Sequence, residues 1–285
     1  MNNINNKYYV NRNKIINLIL YLFLFGLVII IGYPFAYMIF GSFKENYQIF
    51  RSPVTLLAES YTDINYIRLL SGELIPFFKQ FGNSIIISLM QVFFSLFIAT
   101  TVGWGFAKFE FYGKKILLIF LIATLAIPFQ ITLIPLFQLT NSIGWLNTYH
   151  GVAIPASITA FGAVFMRQNM LSVPSELIDA ARIDGASEWK IFYKIGLPLS
   201  KGAIAVLSLL VFLASWNDIL WPLIVLRTPE MMTVPIGLAN LSNLYKIEYG
   251  MILAGASLIS IPVIIIFILG RKHILGNLTI GSIKG

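Results

Sequence analysis

Asp179–Pro198 reads DAARIDGASEWKIFYKIGLP. Six of its residues are charged (Asp179, Arg182, Asp184, Glu188, Lys190 and Lys194), in a chain that is only 11% charged. Just before it, Pro174 and Ser175 mark a helix start, with Ser175 expected as the cap of a helix beginning at Glu176. Ile178 and Ala181 fall on one side of that helix, and Glu176, Asp179 and Arg182 give it a polar side. Gly185 permits a left-handed turn. A second helix is then expected from Ala186 to about Ile195, stopped by Pro198. Trp189, Phe192 and Tyr193 supply an aromatic side. Two short helices of this kind are too polar to cross lipid. They suit docking to a soluble partner, or an amphipathic elbow lying among lipid headgroups.

The surrounding sequence is of another kind. The 285 residues are 58% hydrophobic, above the roughly 45–50% of soluble domains, and the mean hydropathy is +0.81. This is the composition of a polytopic membrane protein, with the bilayer as its main solvent. The chain has no cysteine, which excludes disulfides, thiolate metal sites and a cysteine nucleophile. His150 and His273 lie far apart and are taken as ordinary loop residues, because a metal site needs several converging ligands.

A spanning helix needs about 20 mostly apolar residues. Six segments qualify: 15–40, 83–104, 116–139, 151–171, 202–226 and 250–269. With the N-terminus inside, fourteen of the twenty Lys and Arg residues fall on the cytoplasmic side. The bias places both termini in the cytoplasm, with 174–200 a cytoplasmic loop and 271–285 a cytoplasmic tail. It also accounts for the net charge of +8 without nucleic acid.

Within the spans, Ser84, Ser88, Gln91 and Ser95 share one face of the second. Such a face serves interhelical hydrogen bonding or lines a hydrated path. Ala153, Ala156, Ala160 and Ala163 in the fourth span fit close packing. In the third, Pro128 and Pro135 bracket Gln130 and Thr132, the pattern of a broken helix with a buried amide beside a cavity, or of a static kink. Asp218, next to Asn217, is the one ionisable residue well inside a span. It is a functional candidate unless Pro222 and Arg227 bring it near the outer interface. Tyr112–Lys115 (YGKK) lacks the first glycine and the final Ser or Thr of a phosphate loop, so ATP is not bound that way. No convergent catalytic set appears.

DAARIDGASEWKIFYKIGLP resembles the EAA loop of ABC importer permeases: Glu-Ala-Ala, three residues, Gly, nine residues, Ile, one residue, Leu-Pro. Asp179, Ala180, Ala181, Gly185, Ile195, Leu197 and Pro198 fall on that spacing without a gap. Asp179 departs from it by standing in the Glu position, which keeps the charge and shortens the reach. WND and LWPL around Asp218, IPFQITLIPLFQL in the third span and the terminal GNLTIGSIKG are similar to the maltose-type carbohydrate permeases in particular. The resemblance implies an all-α importer-permease fold of six spans in a bacterial inner membrane, paired with a second, homologous permease. It implies that 174–200, including Glu176, fits a cleft on dimeric ATP-binding subunits. Those subunits would hold ATP and magnesium, and this chain would carry no cofactor and no catalytic residue. It implies an external solute-binding protein that delivers a disaccharide or longer sugar and touches the outer loop Arg227–Tyr249. It also implies a tail, about Gly276–Gly285, that reaches the ATPase dimer through Gly281, Ser282 and Lys284. Ser88, Gln91, Gln130, Asn217 and Asp218 are the candidates for the substrate path. The competing expectation is an ion-coupled secondary transporter, whose marks are buried charges and repeat symmetry.

Overall fold

The computed structural model describes residues 2–50, 53, 55–242 and 248–280. Among these the chain is helical, without a strand. It divides into two compact units, one drawn from Met1–Ser71 and Leu241–Leu258, the other from Gly72–Asn240 and Ile259–Gly285.

The first unit holds α1 (Asn2–Gly41), α2 (Asn46–Ile49), α3 (Ile64–Ser71) and the opening turns of the last helix, Tyr249–Ile280. Most of the apolar stretch of α1, Ile16–Gly41, is left uncovered by this chain, and Gly41 at its end is buried. Where α1 ends, its free carbonyls need donors. The Asn65 carboxamide donates to the carbonyls of Ser42 and Lys44, both at 2.8 Å. Asn46 joins this end to the last helix: its Nδ2 donates to Glu248 Oε2 at 2.8 Å, and its Oδ1 accepts from the Gly250 amide at 2.9 Å. Arg68 adds an ion pair to Glu248 at 3.2 Å. Lys44 is fully buried and donates to the Thr55 carbonyl. Burial pushes its ammonium pKa down.

The second unit is built on α4 (Phe77–Lys108), a 32-residue helix. After it come α5 (Lys114–Ala123) with a 3₁₀ turn to Ala126, α6 (Phe129–Ser142), α7 (Tyr149–Ser157) and α8 (Ala160–Met170). Then follow the short helices α9 (Ser175–Ile183), α10 (Glu188–Ile191) and α11 (Leu197–Leu199), and α12 (Lys201–Trp216), α13 (Leu220–Val225), α14 (Val234–Leu241) and α15 (Tyr249–Ile280). Among the described residues three helices are long and apolar enough to cross a membrane, and up to six spans result if each bent pair counts as one.

Small residues let the central helices meet. A Cβ on Gly103 of α4 would lie 2.8 Å from the Arg167 amide of α8, and one on Gly162 would lie 3.1 Å from Ala99 of α4. The alanines of the fourth span behave likewise, Ala153 and Ala163 being buried.

Several expected spans are broken. The segment 116–139 is not one helix: α5 with its 3₁₀ turn and α6 meet at 103°, with Pro128 as the extended residue before α6. Residues 151–171 bend by 50° between α7 and α8, where Thr159 turns its hydroxyl to the Gly162 amide. The segment 202–226 is interrupted at 217–219, between α12 and α13. The last helix runs on to Ile280, well past the expected 269.

At two of these breaks a side chain takes up a backbone amide, Thr159 that of Gly162 and Asp218 that of Leu220, and elsewhere side chains tie one segment to another. The Trp216 indole donates to the Ile259 carbonyl at 3.1 Å, and the Trp221 indole to that of Val152 at 3.3 Å. Asn147, left-handed at φ 57°, accepts the Arg227 amide at 2.9 Å. At the start of α4, buried Asn83 donates to the carbonyls of Glu230 and Met232 at 2.7 and 2.9 Å and accepts from the Tyr149 hydroxyl at 2.7 Å.

Asn83→Ala strands two carbonyls and a hydroxyl. Thermal unfolding in detergent should register a loss of about 2–3 kcal/mol. An unchanged midpoint would mean that water replaces the amide freely. A second expectation concerns Gly196, where a Cβ would lie 2.7 Å from the Trp104 ring. Gly196→Ala should cost about 1–3 kcal/mol by overpacking, and the same change in a Trp104→Phe background should cost less in a double-mutant cycle.

Candidate coupling elbow and membrane path

α9 begins one residue before the expected start. Ser175 is its first helical residue, Pro174 precedes it in extended conformation, and no side chain caps it. Asp184 ends it, and Gly185 follows at φ +77°, the left-handed geometry that glycine adopts most readily. A Cβ at Gly185 would meet nothing within 4 Å, so any penalty for a larger residue there comes from the backbone alone. Ser187 then caps α10 by accepting from the Lys190 amide at 3.4 Å.

The second helix differs more from expectation. It does not stop at Pro198 but continues to Leu199, through a π-helical turn over Phe192–Gly196. In that turn the Leu197 amide bonds to the Phe192 carbonyl, five residues back. Proline has no amide to give, and its ring would strike the carbonyl four residues back. Widening the preceding turn lets the helix carry Pro198 without that collision. The chain then bends by 77° into α12.

One arginine ties the elbow together. The Arg182 guanidinium donates to both carboxylate oxygens of Glu188, at 2.7 and 3.3 Å, and to Asp179 Oδ1 at 3.1 Å. Glu188, and then Asp179, hold its pKa above the usual arginine range. The shorter Asp179 is thus engaged within its own helix.

Burial sorts the motif residues. Ile178, Ile191 and Phe192 are buried with Trp104, Met166, Met170 and Leu207 in one cluster, with Ala181, Ile195 and Leu197 packed at its margin. These side chains hold the elbow to the C-terminal ends of α4 and α8 and the start of α12. Gly196 lies flat against the Trp104 ring. Glu176, Asp179, Ala180, Gly185 and Pro198 are exposed instead. So are three apolar side chains that the motif spacing does not mark: Ile183 at 87%, Trp189 at 71% and Tyr193 at 64%. Their signal in the sequence is an apolar residue opposite the buried face of an amphipathic helix.

The candidates for the membrane path are not gathered in one place. Ser84 is spent on the Val234 amide at 2.9 Å, and Gln91 donates to the Ala156 carbonyl at 3.3 Å. Gln91 and Ser95 line an open cleft of about 310 Å³ with Ala156, Thr159, Leu210 and Ala214. Ser88 is buried, and its hydroxyl meets no partner among the described residues. Gln130, on α6, is exposed rather than the buried amide expected of a cavity wall. Asn217 is also exposed and turns its amide to the Leu213 carbonyl at 2.8 Å. Asp218 accepts from the Leu220 amide at 3.0 Å and so caps the break before α13. Gly281, Ser282 and Lys284, with residues 243–247 of the outer loop, lie outside the described residues. Among the described residues no cluster of three or more His, Asp or Glu could hold a metal ion.

Comparison with known proteins bears on both the fold and the elbow. The family model described as binding-protein-dependent transport system inner membrane component matches residues 95–274. The arabinooligosaccharides transport system permease protein AraQ of Halalkalibacterium halodurans is 38% identical, over 89% of this chain and 91% of its own. The lactose transport system permease protein LacG of Rhizobium radiobacter is 32% identical over 88% and 90%. The trehalose/maltose transport system permease protein MalG of Thermococcus litoralis is 32% identical over 91% and 94%. A chain in the crystal structure of a bacterial ABC transporter involved in the import of the acidic polysaccharide alginate superposes with a TM-score of 0.79 at 23% identity, over 92% of this chain and 97% of that one. That likeness speaks for the fold alone. The match over most of the chain, on a sequence of apolar helices carrying the two-helix elbow, makes this chain a member of the binding-protein-dependent transport system inner membrane component family: a multi-pass, non-catalytic permease of the carbohydrate-type ABC importers.

Proposed function

We propose that this permease imports a disaccharide or oligosaccharide with a second, homologous permease, and that residues 174–200 are its joint to a pair of ATP-binding subunits. Those subunits hold ATP and magnesium. An external solute-binding protein delivers the sugar. Both termini lie in the cytoplasm, as the basic residues favour.

The observation that carries this is the elbow's division of labour. One face is anchored in the core by Ile178, Ile191 and Phe192, while Ile183, Trp189 and Tyr193 are left to solvent. Exposed apolar side chains on a firmly held element are the mark of a docking surface. The Arg182 bridge from α9 to α10 keeps that surface in one shape, so force on it reaches α4 and α12 as a rigid displacement. ATP closure would then shift the permease between inward-facing and outward-facing states through differential binding. The names of the relatives, for arabinooligosaccharides, lactose and trehalose/maltose, support a disaccharide or oligosaccharide as cargo. Gln91, Ser88 and Ser95 are the groups of this chain best suited to its path. Gln130, Asn217 and Asp218 stay as candidates only through surfaces that a second permease would complete. Gly281, Ser282 and Lys284 are proposed to meet the ATPase dimer.

The test is co-purification with the chromosomally neighbouring ATPase and permease, followed by ATP hydrolysis in proteoliposomes with and without sugar-loaded binding protein. Stimulation by loaded binding protein is expected. A chain that purifies alone and moves solute down an ion gradient would defeat the proposal. Ile183→Ser with Trp189→Ser should leave the thermal midpoint unchanged, because both side chains are exposed, yet should cut ATPase co-purification at least tenfold, about 1.4 kcal/mol of docking energy. Gly185→Val should leave the chain inserted but uncouple hydrolysis from uptake. Gly185→Asn should be milder, since asparagine tolerates the left-handed conformation. Equal uptake by wild type and the Val variant would remove the elbow's role.

A further inference from the structure

Between α13 and α14 the chain carries an exposed tip, Arg227–Glu230. Three buried side chains on one face of α4 grip the backbone of this tip and of the residues after it. Gln80 Nε2 donates to the Pro229 carbonyl at 3.0 Å, and Asn83 Nδ2 to those of Glu230 and Met232 at 2.7 and 2.9 Å. Ser84 Oγ accepts from the Val234 amide at 2.9 Å. Asn147 closes the tip at its other end, where its Oδ1 accepts from the amides of Arg227 and Thr228 at 2.9 and 3.3 Å. Backbone satisfaction does not ask for all of this. Pro229 and Glu230 are exposed, so water could take their carbonyls. Gln80 is only 1% exposed, and its Oε1 meets no donor among the described residues. That oxygen lies over Gly237 of α14, where a Cβ would be 1.7 Å from it. A buried amide that makes one bond and leaves its other end unmet adds little to stability. Leucine would fill the space without that penalty. What the amide does provide is a fixed place for Pro229.

We propose that Gln80, Asn83 and Ser84 are positioning residues, which set the tip Arg227–Glu230 as a rigid docking element for the external solute-binding protein. The choice of partner rests on the importer reading above; the clamp does not. Placement supports that choice. Ser84 and Trp104 stand at the two ends of one continuous helix, about 30 Å apart at 1.5 Å per residue, which is the thickness of a bilayer core. The clamp is at the start of α4 and the elbow is at its end, so the tip faces the side opposite the one on which the elbow would meet ATP-binding subunits. The advantage of a clamp is entropic. A loose tip gives up backbone freedom when a partner touches it. One that is ordered during folding does not, and so binds more tightly through the same contacts. The side chains of Arg227 and Glu230 stay exposed there, one charge of each sign.

The chain has no cysteine, so Glu230→Cys gives a single attachment point for a nitroxide. In the purified full chain its spectrum should be that of an immobilised label, and Gln80→Leu should add a mobile component. In the unlabelled importer, reconstituted with its ATPase and partner permease, Gln80→Leu should raise the concentration of sugar-loaded binding protein that half-saturates ATP hydrolysis about fivefold. The maximal rate should not change. A merely structural role would lower the maximal rate and leave half-saturation where it was. Should Gln80→Leu fail to fold, Pro229→Gly decides, because it frees the tip without altering a buried side chain and should give both changes. A label already mobile in wild type, or a spectrum that the variants leave unchanged, would overturn the clamp. A loosened tip with unchanged half-saturation would overturn its docking role and leave the importer reading intact. A wild-type assembly that no concentration of binding protein stimulates would defeat the importer reading, and the docking role with it, while the spectrum would still judge the clamp.

Discussion

The contact on which the inner half of the second unit depends is the Trp104 ring lying flat on the backbone of Gly196. It allows the π-helical turn to sit directly on the end of α4, with Phe192 buried on one side and Ile191 on the other. Dense interiors transmit displacement rather than absorbing it. A glycine under an indole therefore turns a polar segment into a rigid extension of the long helix α4. The π turn has its own local cause in Pro198, which a regular helix could not carry. Proline and glycine at this junction are two halves of one solution: the first widens the turn, and the second lets the widened turn approach the core.

A second constraint runs through the whole chain. At several helix ends and breaks a side chain supplies the missing partner. Asn65 does so at the end of α1, Asn83 at the loop before α14, Thr159 between α7 and α8, and Asp218 before α13. Trp216 and Trp221 each carry an indole N–H to a carbonyl of another segment. These polar groups are the residues that a search for a substrate path would single out in an apolar sequence. Most are accounted for by backbone satisfaction, which lipid makes obligatory. Those that backbone satisfaction does not use up, Ser88 and Ser95, are accordingly more informative about a path than Asp218 is, although Asp218 is the conspicuous one in the sequence.

Much of the elbow was legible in the residues. The spacing from Asp179 to Pro198 singled out the segment, its polarity set it apart from the apolar helices on either side, and Gly185 marked a left-handed turn. The partition of its faces was less visible. Ile195 and Leu197 belong to the motif yet face the chain's own core, while Ile183, Trp189 and Tyr193 lie outside the motif and are presented to solvent. Apolar residues around a short helix do not say which of them is inside when the bend that follows is unknown. The spans tell a similar story. Hydropathy located the apolar segments, and Pro128 signalled the break at 127–128, whereas the break at 217–219 went unmarked because a window average cannot register where a backbone turns.

The sequence by itself determined the membrane class, the place of the apolar segments and the two-helix form of the segment around Gly185. Each of these depends on composition or on fixed local spacing. Only the tertiary structure decided that the second helix continues through Pro198, that Gln130 is exposed and that Asp218 caps a break. It also decided that the Arg182 guanidinium joins α9 to α10 and that the Trp104 ring packs on Gly196. These depend on which groups meet across long stretches of chain. Whether a buried polar atom is satisfied is a property of its neighbours, and no residue carries its neighbours in its own name.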